Sequence, residues 1–201
     1  NHKTLLIKIA NEDVRNFWEK LAKNKGKKNI HNFLWLNIID RKNDTKIIQK
    51  VIKDWILNYK NYKKDLWRNN IISLRVISWI SNADIILNND NKEFDKSFYN
   101  SLIRQTNFIK KNLQNISDDS KKISSISAII LSGLVFREYY NNYKLGLKEL
   151  KKIIDSFFDK NGFPKNRNLE NLVTFVQYFV IIKEWMKSGQ EIVPDYLEEI
   201  I

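Results

Sequence analysis

The chain has 201 residues, 43% of them hydrophobic and 12% aromatic, enough apolar material to bury one sizeable core. It holds no cysteine, and His2 and His31 are its only histidines. Disulfides, thiolate metal sites and multi-histidine centres are therefore excluded, no cofactor is expected, and the net charge of +12 points to a polyanionic partner.

Five glycines and two prolines are too few for the tight turns of a β-sandwich or barrel, so an all-α fold is expected. Residues 12–24 and 30–40 read as two short helical pieces around the loop "KNKGKKN". A helix is expected over about 44–60, where Ile47, Ile48, Val51, Ile52, Trp55 and Ile56 recur as one apolar stripe. Asp44 and Thr45 are its N-cap candidates. The next helix covers about 66–88, followed by the polar connection "NNDNKE". Over about 93–115, Phe94, Phe98, Leu102, Ile109 and Leu113 share one helical face.

Beyond the interruption "SDDSKK", a nearly all-apolar helix is expected at about 122–139 and another at about 143–158. The segment "DKNGFPKNRN" holds Gly162 and Pro164 and reads as a turn. A long helix at about 168–187 and a short one after Pro194 complete the chain. Helices of this length joined by short links make antiparallel αα-hairpins, here in a single helical domain over 1–201. Such hairpins suit a bundle or an α/α toroid equally. No run approaches about 18 apolar residues, so membrane insertion is not expected. The first residue is Asn and no basic-then-apolar leader follows, so the chain reads as a piece of a longer protein.

The lysines are scattered rather than gathered in a block, which argues against a nucleic-acid arm or a polybasic membrane anchor. Lys, Asn and Ile are all abundant and all have AT-rich codons, so base composition is a competing source of the positive charge.

The stretch "WRNNIISLRVISWISNAD" has the apolar content of a core helix but carries two arginines. At about 100° per residue, Arg68, Arg75, Trp79 and Asn82 fall within roughly 60° of one another. The other faces are mostly apolar, so this polar stripe must meet a buried partner or a cleft. One reading pairs Arg75 with a carboxylate such as Asp84, Asp54 or Asp65. The other makes the stripe a cleft for acidic sugars, in which arginine grips a carboxylate or sulfate and Trp79 stacks on a ring.

Four segments in order, "WRNNIISLRVISWISNADIIL", "SLIRQTNFIKKNL", "SAIILSGLVF" and "NGFPKNRNLENL", resemble the N-terminal helical domain of heparinase II/III-like proteins, especially the alphaproteobacterial branch. The resemblance runs from Trp67 to Trp185, and its most specific piece is Ser73-Leu-Arg75 with Trp79 four residues on. It implies an incomplete α/α toroid, a C-terminal β-sandwich domain beyond this chain, and a periplasmic or cell-envelope setting. The chemistry it implies is β-elimination on a uronic-acid polysaccharide, with Arg75 and Trp79 as first candidates for substrate contact. Arg68, Asn82, Arg167 and Asn168 are second candidates; the last two match an Arg-Asn pair of that branch.

The chain departs from the family at its catalytic positions. The helix "ISSISAIILSG" lacks the family's Asn and His, and no tyrosine follows the "NGF" turn before Tyr178. No catalytic residue is therefore assigned, and a non-catalytic helical module binding an anionic glycan or a protein is the alternative.

Other groups have plainer readings. Asp118 and Asp119 suit a helix cap, and Asp155 and Asp159 a solvated helix face, rather than a hydrolase carboxylate pair. Tyr139, Tyr140 and Tyr143 cover a core edge or line a sugar subsite. Phe175, Tyr178, Phe179, Ile182 and Trp185 read as core packing, and Arg104 and Gln105 as a helix–helix hydrogen bond or a ligand contact.

Overall fold

The computed structural model describes residue 18 and residues 28–39, 41, 45–87 and 91–201. These residues are helical with no strand among them, as the sparse glycine and proline require. The chain divides into two compact units, Asn1–Gln105 and Thr106–Ile201.

In the first unit, α1 (Thr45–Tyr59) buries Ile48, Val51, Ile52, Trp55 and Ile56, the stripe that a 3.6-residue period predicts. Thr45 is its first residue and donates its hydroxyl to the Arg41 carbonyl (2.7 Å) instead of capping the helix. The expected helix over 66–88 is two: α2 (Asn69–Ser81) and the single turn α3 (Ala83–Ile86). The break falls at Asn82, whose side-chain nitrogen and backbone N–H both reach the Ser78 carbonyl (2.8 and 3.2 Å). An amide that competes for a helix carbonyl is a common way to end a helix.

The helix expected over 30–40 is instead two 3-10 turns, Lys28–Asn32 and Leu34–Ile38. Phe33 between them has a left-handed backbone (φ 60°) and no exposed surface. Its ring sits among Trp79, Trp35 and Trp55 at 5.3, 5.5 and 5.8 Å, and this burial holds a conformation that phenylalanine otherwise avoids. The expected helix over 12–24 and the Asp44 cap lie outside the described residues, apart from Trp18.

Helix α4 (Lys92–Asn112) contains the boundary between the units; Phe94, Phe98, Leu102 and Ile109 are buried along one face. A 3-10 turn, Leu113–Asn115, follows it.

The second unit is built on α5 (Asp119–Val135) and α6 (Tyr140–Phe157), an antiparallel hairpin joined through the 3-10 turn Arg137–Tyr139. Asp118 caps α5 by accepting from the Ser120 N–H (3.0 Å). Every residue from Ile123 to Gly133 is buried, as a helix apolar on all sides must be. The two helices touch backbone to backbone. A Cβ on Gly133 would lie 2.2 Å from the Tyr143 nitrogen, and one on Gly146 would lie 2.4 Å from Cγ1 of Ile130.

Helix α7 (Leu169–Ser188) packs against α5 and buries Phe175, Phe179, Ile182 and Met186, and the short α8 (Asp195–Ile200) closes the chain. Phe157 and Phe158 meet Phe175 at 4.6 and 5.2 Å, so aromatic packing fixes the end of α6. Among the described residues no helix is long and apolar enough to cross a membrane.

Candidate functional site

Arg75 has no exposed surface. Its Nε donates to Oε1 of Gln105 (2.5 Å), one terminal nitrogen donates to the carbonyls of His31 (3.0 Å) and Leu66 (3.2 Å), and the other to Leu66 (3.2 Å). The guanidinium carbon lies 4.3 Å from the Trp55 ring centroid, so the ring beneath it is Trp55 and not Trp79, one turn away on its own helix.

The expected carboxylate partner is corrected. Asp84 pairs with Arg41 and Asp65 with Arg68 (both 2.6 Å), while Asp54 accepts from Asn58. The guanidinium of Arg75 is taken up by the Gln105 side chain and by the main-chain carbonyls of His31 and Leu66. Burial lowers its pKa to about 9, so it remains a cation at neutral pH.

Trp79 and Asn82 are equally enclosed. The Trp79 ring stacks on Phe98 (5.3 Å) and meets Trp55 edge-on (5.3 Å). Asn82 accepts from Arg41 (2.9 Å) and donates to Asn37 (3.0 Å). Arg68 is half exposed and engaged with Asp65.

In the second unit, Asn168 caps α7, accepting from the N–H groups of Glu170 (2.9 Å) and Asn171 (3.2 Å). Arg167, with a left-handed backbone (φ 56°), pairs with Asp159 (2.8 Å). Asp159 also accepts from the backbone of Asn161 and Phe163, while Asp155 pairs with Lys151. The structure thus groups Arg75, Trp79 and Asn82 inside the first unit and uses Asn168 and Arg167 to build a turn.

A concave surface among the described residues of the first unit lies elsewhere. A groove between the end of α1 and α4 comprises two adjoining cavities of about 240 and 140 Å³. Lys60, Lys96, Asn100, Ser101 and Arg104 line the larger one; Lys53, Leu57 and Phe94 help line the smaller, and Glu93 and Ser97 serve both. On α4 the lining residues fall at positions 93, 96, 97, 100, 101 and 104, the spacing of one helical face beside the buried phenylalanine stripe.

Three cations face one carboxylate in the larger cavity, so its balance favours an anion. Arg104 is exposed, and its guanidinium bridges to Asn61 Oδ1 (3.0 Å) and the Lys60 carbonyl (3.5 Å). Ser101 is 5% exposed and forms the floor.

From the sequence, Arg104 stood out but Lys60, Lys96, Ser97, Asn100 and Ser101 did not. The available signal was the polar stripe of α4, which looks identical to a solvated face until α1 is seen beside it. Gln105 falls on the helix-contact side of the two readings it was given.

Among the described residues no group of three or more acidic, His or Cys side chains is placed to hold a metal ion. The groove's lining offers cations, hydroxyls and amides with a single carboxylate, a set suited to holding an anion. Comparison of the chain with protein-family models, curated proteins and solved structures finds no match.

Proposed function

We propose that this chain is the acidic-polysaccharide-binding helical part of a heparinase II/III-like protein. In this reading its hairpins form part of an incomplete α/α toroid, and a C-terminal β-sandwich domain completes the β-elimination site. The observation that carries the binding half is the groove between α1 and α4, where Lys60, Lys96 and Arg104 line one cavity with Ser101. Cations and short polar side chains in a concave site suit the carboxylates and hydroxyls of a uronic-acid chain. The lyase half rests on the order of the family-like segments from Trp67 to Trp185.

A second reading, a non-catalytic module for an anionic glycan, is favoured by one observation. The groove supplies no His or Tyr, and the helix "ISSISAIILSG" lacks the Asn and His that the family places there. One experiment separates the two. The full-length protein is incubated with a panel of uronic-acid polysaccharides while the absorbance of an unsaturated uronate is followed. A rising signal supports the lyase, and a flat trace with measurable glycan binding supports the module. Absence of binding to every acidic glycan defeats both.

A further inference from the structure

The floor of the groove is wired to the buried arginine by a chain whose hydrogen-bond directions are fixed. Arg75 Nε can only donate, so the Gln105 atom 2.5 Å from it must be the carbonyl oxygen. The other end of that amide is then NH2, and it donates to Ser101 Oγ at 3.2 Å. Ser101 is an acceptor in this bond, and its own proton is given to no acceptor among the described residues. Ser101 is 5% exposed and lines the larger cavity together with Lys60, Lys96 and Arg104. A buried hydroxyl with an ungiven proton costs free energy until an acceptor arrives, and the surrounding cations select a charged one.

Resting on the reading of the groove as an anion site, we infer that Ser101 is its ligand-contacting donor. Its proton is committed to a sulfate or carboxylate oxygen because Gln105, held by Arg75, can only donate to it. Gln105 and Arg75 are positioning residues: they touch no ligand and set which way the serine points. The arrangement prefers an oxyanion to a cation or a neutral hydroxyl because Lys60, Lys96 and Arg104 line the same cavity as the serine donor.

The test is a double-mutant cycle on Ser101→Ala and Gln105→Glu, read by calorimetric titration with inorganic sulfate and with a uronic-acid oligosaccharide. The Gln105→Glu side chain keeps an oxygen on Arg75 but presents a second oxygen to Ser101. The serine then donates inward and is lost to the groove. Each single variant should weaken binding roughly tenfold, with the melting temperature of Gln105→Glu at or above that of the parent. The double variant should bind no worse than Ser101→Ala alone, because both changes remove the same donor.

Losses that multiply toward a hundredfold would mean that Gln105→Glu acts through its charge, and the positioning role would fall. Binding by Ser101→Ala equal to the parent would overturn the inference outright. In that case Lys96→Ala and Arg104→Ala still decide whether the groove is the site. A parent chain that binds neither probe removes the anion reading and this inference together.

Discussion

The Arg75 guanidinium lies 4.3 Å from the ring centroid of Trp55, and the two residues are joined a second time through His31. Trp55 Nε1 donates to Nδ1 of His31 (3.1 Å), and the carbonyl of the same histidine accepts from Arg75 (3.0 Å). One cation thereby ties together α1, α2, α4, the first 3-10 turn and the segment before α2, through Trp55, its own helix, Gln105, His31 and Leu66.

Arg75→Ala should therefore be a stability variant. It strips donors from Gln105 and from two buried carbonyls, and leaves a void under Trp55. Unsatisfied buried acceptors and lost packing together place the loss on the order of 3–5 kcal/mol in denaturant unfolding. Arg75→Lys keeps the charge without the fork and should recover only part of it. A stability within about 1 kcal/mol of the parent would show that these bonds do not organise the unit.

His31 makes the same cluster sensitive to acid. Burial, then the charges of Arg75 and Lys63, lowers its pKa from the ordinary 6.5 to about 4. The unfolded chain takes up this proton near pH 6.5, whereas the folded chain resists until about pH 4. The contribution is thus complete above pH 6.5 and is lost as the pH falls through that window, by up to about 3 kcal/mol. Protonation also removes the acceptor of the Trp55 N–H. Unfolding free energies at pH 7 and pH 4.5 should differ more in the parent than in His31→Gln, which keeps an acceptor without a titrating ring. Equal differences would exclude His31 as the source.

Much of the helical frame was legible. Strong periodicity placed α1, α4, α5, α6 and α7 within a few residues, because each buries one face or all of them. The failures are local and have causes. Residues 30–38 look helical in composition, but Phe33 gains more from a left-handed backbone inside a tryptophan cluster than helix continuity offers. Asn82 ends α2 through a side-chain bond to Ser78 that no periodicity encodes.

The candidate site was less legible for a similar reason. An arginine among apolar residues reads the same whether it faces a ligand or three oxygens of its own fold. The cations of the α4 stripe become a groove only beside α1.

Gly133 tests the close approach of α5 and α6. Alanine raises helix propensity by up to about 1 kcal/mol over glycine, so propensity alone predicts a gain. Here its Cβ would fall 2.2 Å from the Tyr143 backbone nitrogen, which cannot move without shifting α6. Gly133→Ala should lower stability by about 3 kcal/mol, near the upper end for overpacking. Gly146→Ala meets mainly the Ile130 side chain, at 2.4 Å to Cγ1, and should cost less. Thermal unfolding of the two variants gives the order, and a more stable Gly133→Ala would mean that the helices do not touch at this point.

The charges of the groove make the last prediction. Lys96 and Arg104 are exposed, so their removal should leave the melting temperature within a few degrees of the parent. Each side chain faces the same cavity, and an anion held there loses one cation with either substitution. Lys96→Ala and Arg104→Ala should each weaken binding of a uronic-acid oligosaccharide several-fold at low salt. Lys96→Glu should weaken it further, because it turns attraction into repulsion. Raising the salt toward 1 M shortens the screening length to about 3 Å and should shrink these differences, while the loss from Ser101→Ala persists. A neutral oligosaccharide of the same length serves as the control. Equal affinity for both sugars, or variants indistinguishable from the parent at every salt concentration, would place the basic surface of this protein outside its binding function.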